Sequence, residues 1–464
     1  MENFEQWIEY LDGELQPDKS FDIIKRELEI GARRAALYFI DGFIKDEVYE
    51  KILEFLYKQT PEDIAKITDM TKFSRLKMPY VEVDSTENKQ AAVTAVLSGP
   101  SVLIVEGISG ALVIDTRTYP SRSVDEPQKD KSLRGARDGF VETLVMNTAL
   151  IRRRIRDSRL RMEYMQIGSG TKLDIAISYL DGVADERMLN ILRKKLNNME
   201  LNGASMTQQA IAEKLQKNAF FNPFPKFKTT ERPDYASACI FDGRIVLILD
   251  NAPSVMIMPI SLSDFFRETD DYYFQPIVAS YTRIIRMAVS IANVIITPLY
   301  LLLVNNPRIV PSWLEVIIPN ETGQIPLFLQ FLILEFMVDG LRLASLNTPD
   351  SLSNSLGIVG GLLLSQFAID AGWFITEAIL FMAFITIASF SLPSFEMGYA
   401  MKFERLLLLV TTQLFGIWGF IGGIVLIFIC MLLIKTLSGR NYLYPIIPFN
   451  LRGFLELFIR YPMK

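Results

Sequence analysis

A change in composition partway along the chain constrains its fold more than any other feature of the sequence. From about Ile284 onward long apolar runs follow one another, whereas the residues before them are charged and mixed. The runs are Ile284–Val304, Ile325–Ser345, Leu356–Phe374, Ile379–Leu392 and Leu406–Leu437. Several could cross the hydrocarbon core of a bilayer, which takes about 20 residues of helix. The sequence therefore predicts a soluble N-terminal region, an α-helical transmembrane domain at 280–437 and a short C-terminal tail at 438–464.

The composition excludes several classes of chemistry. The 464 residues include no histidine and only two cysteines. Without histidine there can be no Ser-His-Asp or Cys-His catalysis, no HExxH zinc site and no histidine pH switch. Cys239 and Cys430 lie far apart in the sequence, so neither a disulfide framework nor a metal site is expected, and no cofactor is indicated. A net charge of −5 gives no basic footprint for nucleic acid.

The two ends of the chain predict its orientation. The N-terminal sequence MENFEQWIEYLDGELQPDKSF is acidic and lacks the apolar core of a secretory signal peptide, so we expect the soluble region to be cytoplasmic. Arg283 and Arg286, at the first apolar run, agree with the positive-inside tendency. Basic residues after the last run favour a cytoplasmic C-terminus and an even number of crossings, for which we predict four. These residues are Lys435, Arg440, Arg452 and Arg460.

An internal repeat organises the soluble region. Residues 36–56 (ALYFIDGFIKDEVYEKILEFL) and 176–196 (AISYLDGVADERMLNILRKKL) each contain a short apolar strand, an Asp-Gly turn and an amphipathic helix with an acidic first turn. Asp-Gly permits the positive φ of a sharp strand exit, and acidic residues suit a helix N-terminus.

A second pair of blocks recurs in the same order. Residues 101–115 (SVLIVEGISGALVID) and 237–250 (SACIFDGRIVLILD) each contain a glycine turn that indicates a hairpin. We interpret the soluble region as α+β/α/β, built of two related lobes at 1–130 and 165–265. The alternative is that such common units match by chance. Two lobes also predict a cleft, a place that ligands favour, although the sequence indicates no ligand.

A basic segment at 131–164 connects the lobes. Its apolar residues fit one face of an amphipathic helix, with Asp138 placed to cap the start. The basic candidates of this connector are Arg152, Arg153, Arg154 and Arg156. Such a helix could offer its basic face to a partner protein, a phosphate or anionic lipid. The alternative is a solvated face with structural ion pairs.

Three charged residues interrupt the second apolar run. Glu335, Asp339 and Arg342 are spaced by four and three residues, which places them on one face of a helix. Each charge at membrane depth costs at least about 2.5 kcal/mol, so they should face protein or water. They could line an ion path. Alternatively, the helix lies at the interface, or an Asp339–Arg342 pair holds helices together.

Small residues recur every four positions in the third run. Such rows let helix backbones approach closely and associate in lipid, and polar residues among them could line a pore. The candidate pore and packing residues are Gly357, Gly360, Gly361, Ser365, Gln366 and Asp370. The last run repeats the spacing at Gly419 and Gly423. We favour packing between subunits for the first row; the alternative is packing within one chain.

Four stretches, in order, resemble one known family. They are GFVETLVMNTALIRRRI (139–155), FNPFPKFKTTERPD (221–234), GRIVLILDNAPSVMIMP (243–259) and SLGIVGGLLLSQFAIDAG (355–372). They are similar to the A subunits of bacterial spore germinant receptors, and the resemblance covers nearly the whole chain. It implies a multi-pass protein of the spore inner membrane that works with a transporter-like B subunit and a lipoprotein C subunit. The family resemblance also implies a homo-oligomer that forms or gates an ion channel.

The leading hypothesis is therefore a non-enzymatic receptor and channel subunit. The alternative is a membrane-anchored cytoplasmic sensor or scaffold without a pore of its own. An enzyme would have to depend on carboxylates such as Asp41, Glu106 or Asp181, which lie at turns, where acidic residues are usually structural.

Overall fold

The computed structural model divides into two compact units. One comprises Met1–Lys217 with Lys226–Pro259, and the other comprises Asn218–Pro225 with Ile260–Lys464. The structure describes residues 4–117, 135–168, 172–200, 208–216, 222–319, 323–346, 369–391 and 394–461.

The first unit begins with a lobe built on a five-stranded antiparallel sheet. The strands lie in the order β1-β2-β4-β5-β3, and the two buried strands β2 and β4 occupy neighbouring positions. The elements of lobe 1 are α1 (Phe4–Leu15), β1 (Ile23–Ile30), β2 (Arg33–Ile40), α2 (Asp46–Tyr57), α3 (Pro61–Ala65), α4 (Met70–Lys77), β3 (Val83–Thr86), α5 (Lys89–Ser98), β4 (Ser101–Val105) and β5 (Ala111–Ile114).

The second lobe repeats this topology. Its strands lie in the order β6-β7-β9-β10-β8, which matches lobe 1 strand for strand, and all its strand pairs are antiparallel. The elements of lobe 2 are α6 (Leu144–Arg154), β6 (Leu160–Ile167), β7 (Leu173–Leu180), α7 (Glu186–Asn197), α8 (Gln208–Leu215), β8 (Lys228–Thr230), α9 (Pro233–Phe241), β9 (Ile245–Leu249) and β10 (Val255–Met258). The predicted repeat of related lobes is confirmed. The hairpin predicted at Gly243 is wrong, because Pro233–Phe241 forms α9 and the counterpart of the β4–β5 hairpin is the pair β9–β10.

The Asp-Gly turns have the predicted backbone. Gly42 has φ +80 and Gly182 has φ +75, in the left-handed region that favours glycine. The helix after the second turn is capped by Asp185, whose side chain accepts hydrogen bonds from two backbone amides at the start of α7. Both copies therefore leave the sheet by the same sharp turn.

The segment predicted as a connector lies between the lobes and packs on both. Ala149 belongs to the apolar core of lobe 1, while α6 also packs on α9 and β7 of lobe 2. The helix ends at Arg154 and β6 begins at Leu160, so α6 precedes its hairpin as α1 precedes β1 and β2. A helix covered on two sides has little surface left for a partner.

The second unit is helical. Its helices are α10 (Pro276–Asn305), α11 (Leu327–Leu346), α12 (Thr376–Phe390), α13 (Phe395–Leu433) and α14 (Leu451–Phe458), with short 3₁₀ turns at Leu262–Phe266, Thr269–Tyr272, Pro307–Ile309 and Ser312–Ile317. Among the described residues, α10 and α13 are long and apolar enough to cross a membrane by length and composition.

Helix α13 turns back on itself at Gly416. This residue has φ 60 and ψ −133, so residues 395–415 and 417–433 form two helices. A Cβ on Gly423 would lie 2.6 Å from the side chain of Leu408, whereas a continuous helix would separate these residues by about 22 Å. The halves therefore pack as a hairpin. Gly419 and Gly423 therefore allow close packing of two helices within one chain, which was the alternative to packing between subunits.

Candidate functional site: charged residues buried among the apolar helices

Helix α10 turns a polar stripe towards its neighbours. The spacing of three and four residues places the stripe on one face of the helix. The buried polar residues are Arg283, Arg286, Ser290, Asn293 and Thr297. Large apolar side chains such as Ile277, Ile284 and Ile291 are exposed instead. A helix with polar residues inside and apolar residues outside suits a lipid surrounding.

The centre of the site is an ion pair between α11 and α13. Arg405 donates through Nε to Glu335 Oε1 at 2.6 Å, and both side chains are only 4% exposed. The same guanidinium donates to the backbone oxygen of Asn293 at 2.9 Å and to its side-chain oxygen. Three helices therefore meet at one arginine.

A second cation shares the carboxylate. Lys402 Nζ lies 3.1 Å from Glu335 Oε2 and 2.5 Å from Asp339 Oδ2. Residues 402 and 405 are one turn apart on α13, as 335 and 339 are on α11, so two cations face two carboxylates. We call Glu335, Asp339, Lys402 and Arg405 the charge cluster.

Arg342 does not form the ion pair with Asp339 that was one interpretation of the sequence. Asp339 pairs with Lys402, so the Asp339–Arg342 pair is wrong as an interpretation. Arg342 Nη2 instead donates to Ser389 Oγ at 3.2 Å. Its guanidinium carbon lies 5.0, 5.4 and 5.7 Å from the ring centroids of three aromatic residues, within the range of cation–π attraction. These residues are Phe390, Phe395 and Tyr399.

The charge cluster is compact and leaves little free space. A cavity of about 20 Å³ lies among its side chains, enough for roughly one water molecule. Buried charges are tolerated when they are paired and hydrogen-bonded. The arrangement therefore holds α10, α11 and α13 together and leaves no open passage among the described residues that surround it.

One carboxyl group beside the charge cluster is left unmatched. Glu404 is 8% exposed, and its Oε1 has no hydrogen-bond partner among the residues that the structure describes. It lies near Tyr442, whose pKa is raised by burial and further by the negative charges of Asp264, Glu404 and Glu396. Buried polar atoms usually have partners, so Glu404 is an exception.

Most of the predicted pore candidates cannot be placed. Gly357, Gly360, Gly361, Ser365 and Gln366 lie outside the described residues. Asp370 is described and is exposed. The sequence did not single out Lys402, Arg405 or Asn293, although a basic pair one turn apart ahead of the last apolar run could have indicated partners for the acids of α11.

In the soluble unit the basic candidates separate into two groups. Arg152 is fully buried and donates to both carboxyl oxygens of Asp22, at 2.7 and 3.1 Å, and to Ser20 Oγ and the Leu160 backbone oxygen. Arg154 pairs with Asp138 at 2.5 Å. Arg153 and Arg156 are exposed. Arg152 thus forms a structural ion pair that joins lobe 1 to lobe 2.

The N-terminus of α6 is held by residues from two of the family-like stretches. The predicted cap by Asp138 is wrong, because α6 begins at Leu144, whose amide donates to Asp250 Oδ1 at 3.1 Å. The buried side chain of Asn147 accepts from the Val141 amide at 2.8 Å and donates to its oxygen. These contacts give a structural role to Asp250, which follows β9, and to Asn147, near the start of α6.

The carboxylates considered for an enzyme have structural surroundings. Glu106 pairs with Arg34 at 3.0 Å, and hydrogen bonds from Arg34 lower the pKa of Glu106. Asp181 Oδ2 lies 3.5 Å from Arg161 Nε. Burial raises the pKa of Asp41, although the Gly42 amide donates to its carboxyl group.

A groove of about 430 Å³ lies where the lobes meet. Its walls come from α5, from the loop at 156–158 and from the end of α9, and include Gln90, Arg156 and Phe241. The groove lies where a cleft between the two lobes was expected. Binding of a ligand there stays a prediction.

Comparison with known proteins gives consistent matches over nearly the whole chain. The family model for the Bacillus/Clostridium GerA spore germination protein matches residues 9–464. Stage V sporulation protein AF of Bacillus subtilis is 33% identical over 457 residues, covering 97% of this chain and 91% of that protein. Spore germination protein KA of the same organism is 28% identical over 450 residues, covering 96% and 82%.

A solved structure is also similar. The crystal structure of the N-terminal domain of the A subunit of the Bacillus megaterium spore germinant receptor GerK3 is 25% identical, with a TM-score of 0.41. The similarity covers 54% of this chain and 92% of that one.

Proposed function

The chain belongs to the GerA family of spore germination proteins, and we propose that it is the A subunit of a nutrient germinant receptor in the spore inner membrane. In this proposal the subunit oligomerises with copies of itself and forms or gates an ion-conducting pore. It works with a transporter-like B subunit and a lipoprotein C subunit, and it catalyses no reaction.

The observation that carries the proposal is the charge cluster in a unit whose outer surface is apolar. Phe336 is 75% exposed and Trp418 is 77% exposed, whereas Glu335 and Arg405 are buried. Exposed apolar side chains around buried charges are unfavourable in water and favourable in lipid or against neighbouring copies of the chain. The charge cluster supports a membrane-embedded unit with fixed helix positions.

The charge cluster also fixes the helix that leads to the pore candidates. Helix α11 carries Glu335 and Asp339 and ends at Leu346, shortly before the row of small residues that begins at Gly357. We propose that α11 is the rigid support of that row and that the row surrounds the pore axis. Ser365 and Gln366 would then give the pore its polar lining.

Contacts between the two ends of the helical unit support an even number of crossings. The Arg460 amide donates to Ser280 Oγ at 2.9 Å, and Arg283 Nη1 donates to the Glu456 oxygen at 3.0 Å. The chain thus enters α10 and returns after α13 at the same end. Because α13 is a hairpin, the last apolar run supplies two helices, and the count of four crossings stays a prediction.

Reconstitution separates this proposal from its alternative. In liposomes with the B and C subunits, we expect nutrient-dependent cation flux. Gly361→Leu should abolish the flux or the assembly, because leucine would separate helices that pack at glycine. Gly340→Ala is the matched control, since a Cβ there would meet nothing within 4 Å among the described residues. A complex that assembles and never conducts would favour the membrane-anchored sensor or scaffold.

A further inference from the structure

The segment after the helical hairpin exposes a set of large apolar side chains. Phe449 is 66% exposed and Leu451 is 61% exposed. The set comprises Ile446, Phe449, Leu451, Leu455, Ile459 and Tyr461. Six large apolar side chains within 16 consecutive positions are more than the scattered exposure normal for a protein surface. Exposed apolar side chains at this density require a covering.

Helix α14 divides this segment into two faces. Leu451 and Leu455 are four residues apart and lie together on an exposed face of the helix, and Ile459, the residue that follows the helix, is also exposed. Leu457 is 5% exposed and packs inward. Arg452, beside Leu451, has a side chain that is 88% exposed. The helix therefore presents an apolar strip with a charged residue at its border, which is typical of a helix in a membrane interface.

The position of α14 is fixed against the start of α10. The two helices are joined by the hydrogen bonds of Arg283 with the Glu456 oxygen and of the Arg460 amide with Ser280, and Arg460 also donates to the Phe274 oxygen. Here the exposed apolar surface of α10 begins, with Ile277 77% exposed and Tyr281 64% exposed. The apolar strip of α14 therefore continues the surface at which α10 would enter the membrane.

The charge of the tail fits the same environment. Residues 438–464 contain four basic residues and one acidic residue, a balance of +3, in a chain whose net charge is −5. The basic residues are Arg440, Arg452, Arg460 and Lys464, and the acidic residue is Glu456. Basic residues at a bilayer surface are attracted by anionic headgroups, by about 1 kcal/mol each.

We propose that residues 444–461 form an interfacial element that lies in the headgroup layer and recognises anionic phospholipid. Leu451 and Leu455 reach the acyl boundary. Arg452 Nε lies 3.3 Å from Glu456 Oε1, and the terminal nitrogens of Arg452 pair with headgroup phosphates. The element would fix the depth of α10 and of the hairpin that precedes it. This inference rests on the proposed location in a membrane.

Spin labelling of the full chain tests the inference. Cys430 is exposed and is replaced by serine, whereas the buried Cys239 is retained. Nitroxide labels are placed singly at Leu451→Cys, Leu455→Cys and Arg452→Cys in proteoliposomes of phosphatidylcholine with phosphatidylglycerol. A label at Val425→Cys, 51% exposed in the second half of α13, is the control for insertion.

Accessibility to oxygen and to a water-soluble nickel chelate distinguishes the outcomes. We expect the labels at 451 and 455 to be accessible to oxygen and protected from nickel, and the label at 452 to be reached by nickel. Nickel access at 451 and 455 together with protection at 425 would overturn the inference and leave the membrane location intact. Nickel access at all four positions would overturn the membrane location itself.

Two further outcomes concern the identity of the covering. Protection of positions 451 and 455 from both oxygen and nickel would mean that protein covers the strip, which overturns the inference. Omission of phosphatidylglycerol should raise the nickel accessibility of the label at 451, since the attraction to anionic headgroups is lost. Equal accessibility with and without this lipid would overturn the recognition of anionic lipid.

Discussion

The soluble unit and the helical unit each contain a buried arginine–carboxylate pair, and the two pairs have different consequences. Arg152 and Asp22 join two lobes and are 0% and 1% exposed, and Arg405 and Glu335 join helices and are each 4% exposed. In the soluble unit an opened pair can be reached by water. In the helical unit, which we propose lies in a membrane, a second cation and a second carboxylate belong to the same cluster.

The two pairs differ in how their buried charges are compensated. Arg152 has a hydroxyl and a backbone oxygen as neutral partners besides Asp22. Glu335 is shared by Arg405 and Lys402, so the loss of this one carboxylate affects two cations. The loss of one partner of a buried pair costs about 3–5 kcal/mol, most of it from the charge left behind. We therefore expect the helical unit to be the more sensitive of the two.

The largest effect is expected for Glu335→Ala. Arg405 would be left buried without a carboxylate, and Lys402 would keep one carboxylate, that of Asp339, so we expect the helical unit to lose about 3–5 kcal/mol of stability. Thermal unfolding in detergent micelles measures the change. The control is the double variant Glu335→Leu with Arg405→Met, which removes both charges and should recover most of the loss. A double variant less stable than Glu335→Ala would contradict this account.

Asp22→Ala should have the next largest effect. It leaves Arg152 uncompensated at the contact between the lobes, although water can reach the site once the lobes separate, so we expect about 3 kcal/mol. Faster limited proteolysis between the lobes, together with a lower unfolding temperature, would show the change. Glu54→Ala is the surface control, because its pair with Lys58 is largely exposed and should contribute little to stability. Equal effects of the two substitutions would refute a lock between the lobes.

Gly419→Ala tests the helical hairpin formed by residues 395–433. The new Cβ would lie 1.8 Å from the Thr411 backbone oxygen, which cannot move without opening the hairpin, so we expect a loss of about 1–3 kcal/mol. Gly422→Ala is the matched control, because a Cβ there meets nothing within 4 Å among the described residues. Its stability should be unchanged or slightly higher. If both variants behave alike in thermal unfolding, residues 395–433 do not fold back at Gly416.

The smallest effect is expected for the exposed pair of Glu106 and Arg34. Hydrogen bonds from Arg34 lower the pKa of Glu106 in the folded state. The pair therefore adds stability above the unfolded pKa of about 4.3, and this contribution is lost as the pH falls through the folded pKa. Glu106→Gln should lower the unfolding temperature slightly at pH 7, and the difference should shrink as the pH falls through the folded pKa of Glu106. A difference that does not shrink with falling pH, or that is unaffected by high salt, would rule out this pair as its source.

The repeat was predictable because its signals are local. Asp-Gly turns and apolar strands recur at similar positions in both copies, and the sheets have the same strand order. The role of α6 was not predictable, because a basic helix that is covered on two sides looks amphipathic in sequence. Its arginines suggest a solvent-exposed surface, whereas Arg152 pairs with Asp22, which lies in a distant part of the chain.

The charge cluster was half predictable. The spacing of Glu335 and Asp339 on one helix face follows from the sequence, but their partners do not, because Lys402 and Arg405 lie 63 to 70 residues away and just outside the last apolar run. The hairpin at Gly416 was also not predictable, because the apolar run continues on both sides of this glycine. Only the packing of Gly419 and Gly423 against the preceding helix reveals it.

The most direct test of the proposed function is a cysteine at the pore. In the Cys430→Ser background, Ser365→Cys is reconstituted with the B and C subunits, and a cationic thiol reagent is applied during nutrient-dependent flux. We predict that labelling blocks the flux, whereas labelling of Val81→Cys, on the exposed surface of lobe 1, leaves it unchanged. Complete labelling at position 365 with undiminished flux would show that this segment does not line the ion path.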